Sequence, residues 1–371
     1  MRRVALVSAY ALSVPGGAQE QVLAMSRELS RRGHEVLVVA PDASDHARHD
    51  TPARVARFGP LISLPANGSR APLTLSPRAS RAARREIEAF GPDVVHYHEP
   101  FAPLIAWSSL WRHRAPALAT FHRSGSGPAL RLTRPLLGAL SRRVDVAVAV
   151  SPAAAATWRA ATPLEFEVLF NGFEADRYVS YPRETPERTT ILFVGRLEER
   201  KGADVVVRAL ALHNALHPAD PWSLKVVGDG PQRETLRALA GADTAVTFLG
   251  AVSDEDKRRH LRGASVVVAA STRGESFGLV VLEPMASEVP VVVSDIDGYR
   301  EAAGGHATLF RPGDPAPLEE AIRVALARAT PATLSGARDH ARHWSMASLM
   351  DRYEELYERA SETFSRVRSS Y

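Results

Sequence analysis

The stretch Arg273–Asp295, RGESFGLVVLEPMASEVPVVVSD, decides the fold. It reads as a turn, a short helix and a buried strand, with Glu275 and Glu283 at the two ends of the turn-plus-helix. Gly274 and Gly278 flank Ser276 and Phe277, so several backbone N–H groups can point outward where a helix begins. A helix start with free N–H groups is a ready phosphate site. The apolar run Val289–Val293 reads as a buried parallel strand. Carboxylate, helix start, carboxylate and strand together suit a polar ligand with hydroxyls at one end and phosphates in the middle, because an ionised glutamate only accepts and a hydroxyl can donate. The plainer alternative is a capped helix carrying two solvated glutamates.

Working outward, strand-like runs alternate with helical patterns. Val4–Ser8, Glu35–Ala40, Val94–His98, Ala117–Thr120, Val144–Val150 and Glu167–Leu169 form a first series, with a helix over about Gln19–Arg32 after the first strand. A second series runs through Thr190–Val194, Ser223–Val227, Val246–Leu249, Val266–Ala269, Val289–Val293 and Thr308–Phe310. Tyr181–Arg188, YPRETPER, has prolines and charges but no apolar period, and reads as the linker. Two βαβ series imply an α/β protein with two Rossmann-like, doubly wound domains facing an interdomain cleft. The expected division is 1–182 and 183–343, with a C-terminal amphipathic helix over about 344–371 packing back on the first domain. The length, 371 residues, favours two domains as well.

There is no cysteine, which excludes disulfides and thiolate metal sites. No run of about 18 apolar residues exists, so a membrane-spanning helix is not expected. MRRVALVSAY has an apolar core of only about seven residues, followed by proline–glycine turn chemistry, so a cytoplasmic chain is expected. Net charge is +4, unevenly spread: residues 1–185 hold 23 Arg and no Lys against 16 acidic residues, giving +7, and the remainder carries −3.

The candidate chemistry falls at strand ends. Gly16-Gly17 lies between the first strand and its helix, either as a place where backbone approaches an anion or as a plain tight turn. Arg196 and Lys201 in GRLEERKG follow the first strand of the second series and could neutralise a diphosphate, Arg as a fork and Lys as a point charge. Arg200 stands between them. His122 in TFHRS could donate to a phosphate or sugar oxygen, or be structural. His96 and His98 alternate on a strand without a third ligand, and read as packing or substrate-side groups. Arg78, Arg81, Arg84 and Arg85 gather on one side of a helix beside Ile87 and Phe90, as an anionic-lipid contact or a solvated face. No groove-reading motif accompanies them, so nucleic acid is not expected.

With these residues placed, the chain resembles family-4 retaining glycosyltransferases of GT-B architecture along nearly its whole length. The resemblance rests on VPGGAQ, FNGFEADRY, VGRLEERKG, VVGDGP, FLGAVSDED and above all the Glu-x7-Glu of ESFGLVVLEPMA. It implies that Glu275 holds hydroxyls of the donor sugar, Glu283 the ribose, and Arg196, Lys201 and the Gly16-Gly17 backbone the diphosphate. It implies too that Val252 and Asp254, with Lys257, lie beside the base, and that Ser276, Phe277, Gly278 and Leu279 line the donor. Within the family the likeness is to the branch that mannosylates phosphatidylinositol at the cytoplasmic membrane face of actinobacteria, through SAYALSVPGGAQ, Asn67-Gly68-Ser69, the basic helix, HEPFAP, ATFHRS and Arg200. By that likeness His122 is the active-site histidine, Tyr10, Asn67, Ser69 and Arg200 line the acceptor, and the arginines at 78–85 anchor the protein to the inner membrane face. Departures lie on the acceptor side. Ser13 stands where that branch tends to have an acid, Arg123 and residues 125–128 replace a Thr/Ser-rich loop, and Phe170-Asn171 lacks a proline.

The expectation is a metal-independent, cofactor-free, retaining transfer of a hexose, mannose from GDP-mannose, to a membrane lipid, phosphatidyl-myo-inositol. Two Asp-x-Asp matches, Asp254–Asp256 and Asp295–Asp297, do not read as metal sites for the diphosphate. A family-4 enzyme with another nucleotide sugar and a soluble acceptor is the alternative within the class. A nucleotide-sugar 2-epimerase, which would turn over donor without acceptor, and a non-catalytic sugar-nucleotide binder are the alternatives outside it. Oligomeric state is not legible.

Overall fold

Val4–Val7 and Val36–Ala40 are unbroken apolar runs buried on both faces, as a parallel sheet covered by helices on each side requires. The computed structural model of the chain describes residues 1–14, 16–42, 51–66, 69–102, 105–112, 114–123, 133–179, 181–182, 186–241, 245–273, 275 and 278–369, without the side chains of 63–66, 69–71 and 367–369. These residues form two compact units, Met1–Phe173 with Met346–Tyr371, and Glu174–Ser345.

In the first unit the strands are β1 (Arg3–Ser8), β2 (Glu35–Pro41), β3 (Arg54–Phe58), a separate antiparallel hairpin of β4 (Ile62–Ala66) and β5 (Ser69–Leu73), then β6 (Val94–His98), β7 (Ala117–Phe121), β8 (Val146–Ala149) and β9 (Phe166–Val168). The main sheet is parallel in the order β3-β2-β1-β6-β7-β8-β9. Its order reverses between β1 and β6, where Ser8 pairs with His98. Ligands of doubly wound sheets bind beyond the carboxyl ends of the strands at such a reversal.

The Gly17–Arg31 helix buries Val22, Met25 and Leu29 on one stripe. The C-terminal helix, Met346–Ser369, buries Met346, Met350, Tyr353, Tyr357 and Ala360, spaced four, three, four and three apart, which is one helical face. Its two buried tyrosines find partners, as buried hydroxyls must. Tyr353 OH lies 3.0 Å from Thr120 Oγ1 and Tyr357 OH 2.9 Å from His96 Nδ1. Where this helix begins, Met346 N–H donates to Phe173 O at 2.8 Å.

The second unit has β10 (Thr190–Val194), β11 (Ser223–Val227), β12 (Val246–Gly250), β13 (Val266–Ala269), β14 (Val291–Ser294) and β15 (Thr308–Phe310), all parallel, in the order β12-β11-β10-β13-β14-β15. That is the doubly wound dinucleotide-fold order, reversing between β10 and β13. Buried Trp222 stacks on His213, whose ring nitrogens lie 2.9 Å from Glu319 Oε1 and 3.1 Å from Asp220 O. Both nitrogens serve the core.

The two Rossmann-like sheets give the GT-B fold class. β14 starts at Val291 rather than at Val289, because Pro290 has no N–H for the ladder. The first unit ends at Phe173, not 182. The 3-10 turn Ala175–Tyr178 buries Ala175 and Tyr178 within the second unit, so the chain has joined that core before the charged linker begins.

Candidate active site

In the second unit, Arg196 follows β10 and Glu275 follows β13, so both stand at the reversal of the sheet. A 3-10 turn, Glu199–Lys201, ends on Gly202 at φ 68°. A Cβ there would stand 2.2 Å from Ala270 O, so glycine alone lets the turn lie against the end of β13. Thr272 N–H donates to Arg200 O at 2.8 Å and fixes the contact. Three donors therefore converge on Glu275 Oε1: Lys201 Nζ at 2.5 Å, Arg200 Nη1 at 2.8 Å and Ser271 Oγ at 3.2 Å. Tyr299 OH donates to Ser271 Oγ at 2.8 Å from behind. Arg200, which the resemblance puts at the acceptor, has its guanidinium on Glu275 and on Glu198. Arg196 approaches Glu198 at 3.2 Å and keeps 57% of its side chain exposed.

Glu283 sits inside the Leu279–Ala286 helix, one turn past its start. Its Oε1 accepts from Lys257 Nζ at 2.9 Å and from Tyr178 OH at 2.8 Å. Burial alone would lower the Lys257 pKa, but Glu283 and Asp254 outweigh it and hold the ammonium charged. Burial, then the Glu283 carboxylate, pushes the Tyr178 phenol well above its usual value. Asp254 opens the Asp254–Arg262 helix capped by Ser253, just after Val252. Burial raises its carboxyl, yet Lys257 and Arg258 carry it below the usual range. Asp256 is bonded to Ser253 and Arg259, and Asp295 to Arg300, so these carboxylates of the two Asp-x-Asp matches are already met by the chain's own donors. Gly278 has φ 77°, and a Cβ on it would meet the Tyr299 ring at 2.8 Å. Ser276 and Phe277 lie outside the described residues.

In the first unit, Gly16 caps the Gly17–Arg31 helix in extended backbone and offers no side chain to cap it. Tyr10 follows β1 and Glu99 follows β6, so both stand at the reversal of this sheet, and His122 follows β7, the strand next to β6. His122 Nε2 lies 3.1 Å from His98 Nδ1, and the rings stack at 5.4 Å. Among the described residues, the buried atoms His122 Nδ1 and His98 Nε2 have no hydrogen-bond partner. Burial lowers the His122 pKa to about 4 and His98 well below its usual value, so both rings are neutral at pH 7. His96 is a packing residue, held by Thr120 Oγ1 at 2.7 Å and Tyr357 OH. Glu99 is 2% exposed and accepts the backbone N–H groups of His122 and Arg123 on Oε1. Burial raises its pKa to about 7, against the pull of those two amides. Burial, then Glu99, raises the Tyr10 phenol above its usual value. Ser13 Oγ donates to Asp42 Oδ1 at 3.0 Å, which places a carboxylate beside the position where the sequence lacks an acid. Asn67 lies outside the described residues, as does the side chain of Ser69.

Glu99, Tyr178, Ser271 and Tyr299 were not singled out as site residues from sequence, whereas His98 was read there as a packing or substrate-side group. A polar residue directly after a buried apolar run marks Ser271 in retrospect. Tyr178 and Tyr299 lie far along the chain from the glutamates they serve, and no local signal links them.

The Pro77–Phe90 helix buries Ala79, Ser80, Ala83, Ile87 and Phe90 and leaves Arg78, Arg81 and Arg85 exposed. Arg84 is half-buried and donates to Glu88 at 2.6 Å. Beside this helix a groove of about 510 Å³ has an apolar floor that includes Trp107 and Leu140, with Arg81 and Arg112 among its lining. Trp111 and Leu136 line it too and are 44% and 40% exposed. Among the described residues, no helix is long and apolar enough to cross a membrane.

Residues 15–177 match the family model described as Glycosyltransferase Family 4, and residues 188–328 the one described as Glycosyl transferases group 1. The chain is 34% identical over 336 residues to the phosphatidyl-myo-inositol mannosyltransferase of Mycobacterium leprae, covering 88% of this chain and 87% of that one. To the enzyme of that name from Mycolicibacterium smegmatis it is 34% identical over 362 residues, covering 93% and 91%. Among solved structures, the glycosyltransferase of Rickettsia africae superimposes with a TM-score of 0.72 at 18% identity, covering 96% of this chain and 98% of that one. A likeness at that identity speaks to the fold.

Proposed function

The chain belongs to glycosyltransferase family 4, and from that premise we propose that it moves mannose from GDP-mannose to phosphatidyl-myo-inositol, with retention and without a metal, while bound peripherally to the inner face of the cell membrane. The observation that carries the reading is the pair of glutamates at the second sheet's reversal, each held by a different set of cations: Glu275 by Lys201 and Arg200, Glu283 by Lys257. Glu275 accepts sugar hydroxyls and Glu283 the ribose hydroxyls, with Val252, Asp254 and Lys257 beside the base. Lys201 has three N–H donors, so it can keep Glu275 on one and hold the diphosphate with the others. Arg196 and the open first turn at Gly16-Gly17 add further donors. As the bond to the anomeric carbon breaks, negative charge grows on the diphosphate. Donors already aimed at it lower the barrier without reorganising. The acceptor hydroxyl attacks on the face the diphosphate leaves, its proton passing to the departing phosphate. His122 faces the sugar, and Tyr10, Asn67, Ser69 and Arg200 line the acceptor.

The relatives named above carry the lipid acceptor in their names. The arginines at 78–85 and the exposed Trp111 and Leu136 support the same destination, since cations draw anionic head groups and an indole suits the interface. The acceptor-side departures at Ser13, Arg123 and residues 125–128 favour, as a second reading, a soluble acceptor.

The test is a calorimetric screen of GDP-, UDP- and ADP-sugars, followed by transfer of radiolabel into extracted lipids with and without EDTA. Tight binding of GDP-mannose and EDTA-resistant label in a phosphatidylinositol product are expected. Label in a water-soluble product would favour the second reading, and an epimer formed without acceptor would replace transfer altogether.

A further inference from the structure

Glu99 combines three unfavourable features. Its φ is 54°, in the left-handed region, which is unfavourable for a non-glycine residue. Pro100 follows it, and a residue before proline is pushed toward extended backbone. Its carboxyl is buried, which penalises the charge. Glu288 also has positive φ, but it sits just past the end of the Leu279–Ala286 helix, where left-handed backbone is an ordinary termination, and its carboxylate meets Arg338 at 2.6 Å. Glu99 follows a strand, at the reversal of the sheet, and helix termination explains nothing there.

A glycine at 99 would remove both the backbone and the burial penalties. What it would lose is the side chain, and the side chain has one visible task. Glu99 Oε1 accepts two successive backbone N–H groups, those of His122 and of Arg123, the latter at 2.5 Å. Glu99 N–H in turn donates to Thr120 O at 2.9 Å, so the residue clasps the end of β7 on both sides of Phe121. The peptide that carries the His122 ring is thereby fixed, with Nε2 against His98 and Nδ1 without a partner among the described residues. Buried polar atoms rarely stay unpaired unless a ligand completes them.

We propose that Glu99 is a positioning residue for glycosyl transfer, a two-amide clamp that sets the His122 imidazole for the sugar. The inference rests on the proposed role of His122. A strained backbone at such a place points toward function, and a misplacement near 1 Å at a reacting centre can cost about a hundredfold in rate.

The experiment compares the full chain with Glu99→Gly and Glu99→Gln. Glu99→Gly is expected to keep or raise Tm, to bind free GDP as the parent does, and to lose about a hundredfold in kcat with the donor KM within about twofold. Glu99→Gln keeps an oxygen for both amides and should recover most of the rate. The nitrogen-15 imidazole signals of His122 should move in the glycine variant and stay in the glutamine one. Parental kcat in Glu99→Gly would overturn the proposal. So would loss of Tm and GDP binding together, which would make Glu99 a folding residue. If the parent itself transfers from no donor, the transfer reading fails, and an unmoved His122 signal in Glu99→Gly separately rejects the clamp.

Discussion

Lys201 Nζ stands 2.5 Å from Glu275 Oε1. The residue expected at the diphosphate and the residue expected at the sugar are thus one ion pair. Removing Lys201 leaves Glu275 on Arg200 and Ser271, so no buried carboxylate is stranded and the fold should survive. We expect Lys201→Ala, and likewise Arg196→Ala, to lower kcat/KM by about 2–4 kcal/mol of transition-state stabilisation. Tm should change little in either. Near-parental kcat/KM in both would remove the cations from the mechanism.

Glu275 and Glu283 should divide the donor between them. Glu283→Ala breaks the contacts with Tyr178 and Lys257 and leaves that buried ammonium with Asp254 alone. Affinity for free GDP should fall by about 1.5–3 kcal/mol, roughly ten- to a hundredfold. Glu275→Ala should leave GDP affinity within about threefold and slow transfer instead. Calorimetry with GDP measures the first, and turnover the second. Equal loss of GDP affinity in the two variants would contradict the division.

Tyr178→Phe isolates one donor to Glu283 and should weaken GDP by about 1 kcal/mol, roughly fivefold. The parental affinity in this variant would show that the hydroxyl only fills space.

The strands that build both sheets were legible because parallel strands buried on both faces are continuous apolar runs. Val94–His98, Thr190–Val194, Ser223–Val227 and Val266–Ala269 have the bounds read from sequence. β3, RVARF, sits at the sheet's edge with half-buried residues and two arginines, and the hairpin strands ISLPA and SRAPL each contain proline, so none of them shows that signal. The two glutamates were legible from spacing and flanking glycines. Their partners were not, because sequence periodicity reports burial and not which buried tyrosine, 105 residues away in the case of Tyr178, reaches a given carboxylate. Glu99 escaped notice for a related reason. A positive φ on a glutamate contradicts local preference, and only the surrounding structure imposes it.

His96 gives a pH dependence with a definite sign. Burial, then its neighbour His122, lowers its pKa to about 3, while the unfolded chain titrates near the ordinary value of 6.5. Between these values the unfolded chain binds a proton that the folded chain refuses, so the stability owed to neutral His96 is present above about 6.5 and is lost as pH falls toward 3. His96→Gln has no such proton. Its destabilisation relative to the parent should therefore shrink by about 2 kcal/mol between pH 8 and pH 5. Urea unfolding at the two pH values measures this, and a gap that stays constant would show that His96 is not kept neutral by the fold.

The membrane contact should be electrostatic first and apolar second. Arg78, Arg81 and Arg85 are exposed, whereas Arg84 spends its guanidinium on Glu88. Each free cation near an anionic bilayer is worth about 1 kcal/mol, and the attraction is screened as the Debye length falls from ~10 Å at 0.1 M salt to ~3 Å at 1 M. The protein should co-sediment with phosphatidylinositol-containing vesicles at low salt, leave them at high salt, and ignore neutral vesicles. Changing the four arginines to Ser should abolish binding, with Arg84→Ser contributing least when made singly. GDP affinity should be untouched, since the glutamates assigned to the nucleotide lie in the other unit. Trp111, 44% exposed beside the arginines, should meet the interface once the charges have docked. Its fluorescence should then shift to the blue and be quenched by brominated lipid, and Trp111→Ser should weaken binding while leaving its salt dependence unchanged. A quadruple variant that binds anionic vesicles as the parent does would reduce the helix to a solvated face, and a soluble acceptor would then be the better assignment.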